Sequence, residues 1–251
     1  MSGLEWEVIA LLIAAGFVAG FIDSIAGGGG LITVPALLLS GADPVTALGT
    51  NKVQGLFGSG TAALSYAKAG LVDLRRQAGP ALIAFVAAAL GAVAVSRLPV
   101  DWIDAALPVV LIAIAVFFAV KPGLSDRDGR ARLGPRVIAL SMVPLVGFYD
   151  GLVGPGTGSF FMIGFVTLAG YGVLKATAHT KLLNFASNLG GLMGFLLVGS
   201  VWWGVGLLMA LGTIAGARVG AGFAQRFGAR MIKPLLVLTS TAMALRLLLG
   251  A

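Results

Sequence analysis

Of the chain's 251 residues, 58% are apolar and 11% charged, and the net charge is +7. A soluble domain carries about 25% charged residues, so the composition excludes a water-covered fold; the positive charges lie mostly between apolar runs, where they report membrane orientation and not a nucleic-acid surface. The chain has no cysteine, which excludes disulfides, thiol chemistry and cysteine-based metal sites.

The first apolar run, Val8–Ile22, follows Glu5 and Glu7 with no Lys or Arg before it. A signal peptide opens on a basic region, so this run reads as a retained first helix. Ten apolar segments are predicted in all, at 6–22, 28–40, 44–67, 78–97, 102–120, 134–150, 157–169, 172–198, 201–220 and 229–249. Uncharged stretches such as Pro80–Ser96 and Leu182–Ala217 reach the roughly 17–25 residues that cross the hydrocarbon as a helix. The fold class is all-α, a polytopic bundle of transmembrane helices in a cell membrane. The loop Lys121–Arg136 divides it into a first repeat at 1–121, a cytoplasmic linker at 122–133 and a second repeat at 134–251.

The two parts resemble each other. Gly20-Phe-Ile-Asp-Ser-Ile-Ala-Gly-Gly-Gly-Gly30 aligns with Gly147-Phe-Tyr-Asp-Gly-Leu-Val-Gly-Pro-Gly-Thr157, and Ala47-Leu-Gly-Thr-Asn-Lys52 with Ala176-Thr-Ala-His-Thr-Lys181. Lys68, Arg75 and Arg76, the basic central loop, and Arg226 with Arg230 mark the cytoplasmic side. The turn at Gly199–Val201 carries no charge and belongs outside. Ten crossings satisfy these placements, with both termini outside. Each half then has five segments, an odd number, so the halves insert in opposite orientation as an inverted repeat. Trp6, Trp102, Trp202 and Trp203 all fall at the outer interface in this arrangement. If the two short segments are re-entrant instead, eight crossings result and Arg226 and Arg230 face out.

Gly27, Gly28, Gly29 and Gly30 interrupt apolar sequence four residues after Asp23; Gly154, Pro155, Gly156, Thr157 and Gly158 do so after Asp150. Glycine and proline there predict helix breaks. Backbone groups freed inside a bilayer must face protein or a watery cavity, and half-helix N-termini attract anions. The alternative is a tight turn at the membrane surface. The glycines precede Leu31 and Ile32, so no nucleotide-binding Gly-Lys-Ser/Thr is present.

Lys52 follows Thr50-Asn51, and Lys181 follows His179-Thr180, each inside an apolar run. A buried ammonium needs a partner. The two lysines can attract an anion to a shared path, snorkel to an interface, or be neutralised by Asp23 and Asp150. His179, the one histidine, can carry a coupling proton or simply line the path, as its counterpart Thr50 would. Lys181, Asn184, Ser187 and Asn188 share a helix face; Lys52, Gln54, Ser59 and Thr61 form a less regular trace. Such stripes suit a watery path or interhelical hydrogen bonds. Gly212, Gly216 and Gly220 form a small-residue ribbon for close packing. No catalytic group, metal site or cofactor motif stands out. The reading is a secondary transporter of a small anion with H⁺ or Na⁺ as possible coupling ion; a channel, a membrane enzyme and a scaffold are the alternatives.

The Gly20–Pro35 segment together with Ala47–Lys52 resembles the first signature of the TauE/SafE sulfite exporter family, also called the 4-toluene sulfonate uptake permease family. Gly147–Gly158 and Ala176–Asn188 resemble its second signature more loosely. The resemblance implies a bacterial plasma-membrane transporter for sulfite, sulfonates or other small organosulfur anions. It carries site roles onto Asp23, Gly27 to Gly30, Asn51 and Lys52, then Asp150, Gly154, Gly156, Thr180 and Lys181. Pro155 interrupts the second glycine run, which leaves the two halves of such a site chemically unequal.

Overall fold

The computed structural model describes residues 6–95, 125–198 and 201–228, with Arg230, Ile232, Pro234 and Leu235. Among these, all regular secondary structure is α-helix. The order is α1 (Trp6–Ala26), α2 (Gly30–Leu39), α3 (Pro44–Lys68), α4 (Ala78–Val95), α5 (Pro135–Leu140), α6 (Met142–Leu152), α7 (Thr157–Thr167), α8 (Val173–Val198) and α9 (Trp203–Phe227). The segment expected over 102–120 lies outside the described residues, as does all but four residues of the one over 229–249.

Local chemistry sets the boundaries. α3 starts at Pro44, behind Asp43, whose side chain accepts the Thr46 N–H at 3.0 Å, an N-cap followed by proline at the first helical position. The single segment expected over 134–150 is two helices, α5 and α6. Pro144 has no N–H for the Leu140 carbonyl, and the chain kinks at Ser141, at φ −117° and ψ −69°.

α1, α4 and α9 are apolar and long enough to cross a membrane. They leave Leu11, Leu82, Leu90 and Leu211 exposed, an apolar outer surface suited to lipid. α3 and α8 have 25 and 26 residues, roughly 38 Å at 1.5 Å per residue. They carry most of the buried polar residues and pack against each other.

Glycine contacts give the helix directions. On α3 and α8, Gly55 meets Asn188, Gly60 meets Phe185 and Gly191 meets the stem of Lys52, so the two helices are antiparallel. Gly16 and Gly20 of α1 meet Met209 and Thr213 of α9; Gly58 and Val53 of α3 meet Thr213 and Gly206 of α9. Gly147 and Gly151 of α6 meet Ala84 and Ala88 of α4, and Gly190 and Gly194 of α8 meet Phe85 and Ala89 of α4. Thus α1, α3 and α9 run one way, and α4, α6 and α8 the other. The short α7 folds back on α6, with Tyr149 against Phe160 and Gly164 against Met142. The short α2 shares an apolar cluster with α1 through Leu12, Val34 and Leu37.

Two apolar clusters result. One contains Leu12, Leu48, Phe195 and Met209; the other contains Ile25, Tyr66, Phe161, Leu183 and Ala224. On α3 and α9 the polar positions Asn51, Lys52, Gln54 and Thr213 fall between them in sequence. Trp6 and Trp203 begin parallel helices and so share one end. Lys68 and Arg226 close parallel helices at the other, where Gln225 donates to Ser65 at 3.0 Å. The 125–134 loop is at that basic end too, bonded to the α7–α8 turn by Gly129 N–H to Gly170 O at 2.7 Å and Arg132 N–H to Leu168 O at 2.8 Å.

Candidate functional site at the paired helix breaks

α1 stops where Gly27, at φ 74°, turns its N–H back to the Asp23 carbonyl at 2.9 Å. The Asp23 carboxylate reaches forward instead: Oδ1 accepts the N–H groups of Gly28 at 3.0 Å and Gly29 at 3.3 Å. It thus places negative charge at the N-terminus of α2, where the helix dipole favours it. The second break repeats the plan. Val153 returns its N–H to Tyr149 at 2.9 Å, Gly154 and Gly156 adopt φ 92° and 85°, and Asp150 Oδ1 accepts the Thr157 hydroxyl at the start of α7 at 2.9 Å.

A lysine from the other half closes each break. Lys52, on α3, donates to the carbonyl of Asp150 and to its Oδ1 at 2.7 Å. Lys181, on α8, donates to the carbonyl of Asp23 and lies 3.3 Å from its Oδ2. Each ammonium therefore sits at the carbonyl end of a helix, its favoured place in the dipole. The Lys52–Asp150 side chains are 1% and 4% exposed, against 1% and 21% for Lys181–Asp23.

The breaks also touch. A Cβ on Gly158 would lie 2.7 Å from the Cα of Gly27, and Ser159 donates to the Gly27 carbonyl at 3.0 Å. A narrow cavity of about 30 Å³ lies there, room for a water molecule or two. From the first half Asp23, Gly28, Gly29, Gly30 and Asn51 line it; from the second, Asp150, Gly154, Gly156, Thr157, Asn184 and Asn188 do. Gly27 stands behind the wall, and Lys52 and Lys181 stand behind their aspartates.

Two residues singled out from the sequence are elsewhere. Thr180 bonds its own helix at Ala176 O, 2.9 Å away. His179 bonds the Lys175 carbonyl at 2.9 Å and packs on Tyr171 and Phe165, facing a separate cavity of about 520 Å³ near Asp73 and Arg76. The lining residues Gln54 and Thr213, and Thr33 bonded behind them, gave little or no signal. Gln54 donates to Asn51 Oδ1 at 2.7 Å and accepts the Thr213 hydroxyl at 2.9 Å, while Thr33 donates to the same Asn51 oxygen at 2.5 Å. Gln54 belongs to the less regular trace of α3; Thr33 and Thr213 look like ordinary hydroxyls in apolar helices. These bonds tie α2, α3 and α9 into one wall.

The opposite wall is incompletely bonded. Asp150 Oδ2 and Asn184 Oδ1 are buried and have no hydrogen-bond partner. The two lysines and two aspartates sum to zero charge. What the cavity can offer an anion is N–H donors, from first-turn amides of α2 and α7 and from side-chain amides; the Thr157 O–H is already given to Asp150 Oδ1.

Comparison with known proteins adds an independent line. A family model described as sulfite exporter TauE/SafE matches residues 12–247. The chain is 57% identical to a Sinorhizobium protein described as probable membrane transporter protein ORF9, over 99% of this chain and 95% of that one. It is 42% identical to a probable membrane transporter protein of Haemophilus influenzae, over 96% and 94% of the two chains. It is 41% identical to the probable membrane transporter protein YfcA of Escherichia coli, over 96% and 90%. No solved structure matches it.

Proposed function

The chain belongs to the TauE/SafE sulfite exporter family, a family of membrane transporters and not of enzymes, and from that premise we propose that it is a secondary transporter of a small anion, sulfite or an organosulfonate, in the bacterial plasma membrane. The observation that carries the reading is the crossed pairing of Lys52 with Asp150 and Lys181 with Asp23 at two helix breaks around one polar cavity. Transporters built from inverted repeats bind solute where broken helices of the two halves meet.

The transport unit is a five-plus-five inverted repeat, residues 1–121 and 134–251 joined by the linker 122–133. Exchanging α1 with α6, α3 with α8 and α4 with α9 turns each set of parallel helices into the other, as a two-fold axis in the membrane plane would. The basic end that holds Lys68, Arg136 and Arg226 faces the cytoplasm, and both termini lie outside. The substrate path runs through Asn51, Thr157, Asn184 and Asn188 and the first-turn amides of α2 and α7. Lys52 and Lys181 offset the aspartates, so an anion meets donors without net repulsion.

An anion channel is the second reading. A cavity of about 30 Å³ favours alternating access over a continuous pore. Purified protein in liposomes tests the proposal. Saturable, protein-dependent flux of sulfite or a small alkanesulfonate is expected, and its absence for sulfite, sulfonates, sulfate and small carboxylates alike would refute the reading.

A further inference from the structure

The two halves of the site differ in one respect that charge counting misses. Asp23 has both carboxylate oxygens engaged: Oδ1 by two backbone N–H groups and Oδ2 by Lys181. Asp150 has Oδ1 engaged twice, by Lys52 and Thr157, while Oδ2 has no partner. On the same cavity the Asn184 Oδ1 is also without a partner. The two residues are 3% and 4% exposed. A buried acceptor with no donor is destabilising, and here the residues that bear two such acceptors line one small cavity.

Two unmatched acceptors need donors, which a cavity water, a cation or a proton on Oδ2 can supply. In other transporters with broken helices, carbonyls at half-helix C-terminal ends help hold the coupling cation. Here those carbonyls, of Asp23 and Asp150, already hold ammonium groups. A hard cation takes about six oxygens, and the cavity has two unmatched side-chain oxygens to give. A proton needs only one oxygen to bond and one acceptor to face.

Resting on the transporter reading above, we infer that Asp150 is the proton-carrying group of this site and that substrate and proton cross together. The proton comes from the aqueous side and forms an O–H bond at Oδ2. That O–H, directly or through one cavity water, satisfies Asn184 Oδ1. No covalent bond of the protein breaks, and Lys52 keeps its proton and its bonds to the Asp150 carbonyl and Oδ1. The four charged groups then change from a net charge of zero to one positive, and a monovalent anion restores neutrality. Release of the anion on the far side leaves the positive charge unmatched, and Oδ2 gives up its proton there. The other charged groups facing Asp150 are Lys52 on α3 and, across the cavity, Asp23 on α1, which engages Lys181 of α8. α4 and α7 contribute none. The coupling is therefore one proton per monovalent anion, moving in the same direction.

Methanesulfonate, ionised across the neutral range, is the probe. Purified protein in weakly buffered detergent solution should take up one proton per methanesulfonate bound, read with an indicator dye. Where binding takes up one proton, affinity should fall by about tenfold per pH unit as pH rises, the slope of one linked proton. In Asp150→Asn an amide stands where the O–H would be, so binding should release or take up no proton and the pH slope should vanish. Asn184→Leu leaves both charges in place and should move the pH midpoint of binding downward by removing the partner of the O–H. In proteoliposomes a pH gradient, and not a sodium gradient, should drive accumulation. Proton uptake that persists in Asp150→Asn, or that is lost in Asp23→Asn alone, overturns the assignment, as does sodium-driven accumulation. Methanesulfonate exchange at equal pH on both sides tests the transporter reading separately: exchange without proton uptake sinks only the proton assignment, and no exchange by any candidate anion sinks both.

Discussion

Lys52 and Asp150, 98 residues apart, form the more deeply buried of the two ion pairs that, among the described residues, cross between the halves of the chain. The ammonium bonds the carboxylate and the backbone carbonyl of the same residue, so it serves both as counter-ion and as cap for the end of α6. Lys181 does the same for Asp23 and α1 at a partly open site. Opening either break therefore means uncoupling a charge of one half from a helix end of the other.

That difference in burial ranks two substitutions. Breaking a buried pair from one side costs about 3–5 kcal/mol, so Lys52→Gln should sharply reduce folded protein in the membrane. Lys181→Gln should cost less, because Asp23 retains two backbone N–H donors and some solvent. Adding Asp150→Asn to Lys52→Gln should recover part of the loss. Thermal unfolding in detergent checks the order; equal losses for the two lysines would contradict it.

Gly154 faces two constraints at once. It sits at φ 92°, and a Cβ there would be 2.7 Å from Lys52 Nζ. Gly41 has a similar φ of 93° with nothing within 4 Å. Gly41→Ala should cost about 1 kcal/mol of backbone strain. Gly154→Ala should cost clearly more and disturb the Lys52 pair. Comparable melting temperatures for the two variants would show that the lysine can move aside.

The α1–α9 contact depends on small residues. A Cβ on Gly216 would meet the backbone of Phe17 and Phe21, whereas one on Gly222 of the same helix meets nothing within 4 Å. Gly216→Val should force α9 off α1, at a cost of several kcal/mol if the backbones cannot separate. Gly222→Ala should be neutral or slightly stabilising, since alanine is about 1 kcal/mol better than glycine in a helix. Folded yield after detergent extraction separates them.

What the sequence made legible follows from contrast. Glycine runs, a proline and two lysines stand out in apolar helix, and all prove to be at the breaks or bonded to them. The glycine ribbon of α9 was equally plain and packs as its spacing suggested. Which aspartate each lysine meets was not legible, because periodicity reports the face of a helix and not the neighbour across from it. His179 was as conspicuous as Lys181, two residues away, yet two residues along a helix rotate a side chain by about 200°, here toward Tyr171 and Phe165. Thr33 and Thr213 were invisible because a hydroxyl that bonds across helices looks in sequence like one that bonds its own turn.

The loop at 125–134 is held to α8 by carboxylates, which makes it sensitive to acid. Asp128 accepts the Gly172 N–H at 2.8 Å and the Lys175 ammonium at 2.6 Å. These bonds, the Gly172 N–H first, hold its carboxyl below the ordinary carboxylate range. The contribution is thus complete above that range and is lost as pH falls through the lowered value. Proteolytic nicking of the loop should rise on acidification through that window in the wild type. Asp128→Asn should nick faster at neutral pH and respond less to acid. A loop equally protected in wild type and variant at neutral pH would refute the anchoring role.

The remaining prediction concerns which end faces the cytoplasm. Gln225 and Ser65 are hydrogen-bonded, which puts Arg226 at the same end of the bundle as Lys68. An eight-crossing topology with both short helices re-entrant would put these two residues on opposite sides, so the parallel course of α3 and α9 counts against it. Lys68, Arg75, Arg76, Arg130 and Arg136 add positive charge to that end, and Trp6 and Trp203 mark the other. The basic end belongs inside by the positive-inside rule. The chain has no native cysteine, so single cysteines report cleanly. Gly41→Cys, beside the start of α3 at the tryptophan end, should react with an impermeant maleimide in intact cells. Asp73→Cys, Arg130→Cys and Gly228→Cys should react only after the membrane is opened. Labelling of position 228 from outside with 73 protected would contradict the parallel course of α3 and α9. Labelling of 73, 130 and 228 from outside with 41 protected would leave the helix arrangement standing and invert the protein in the bilayer.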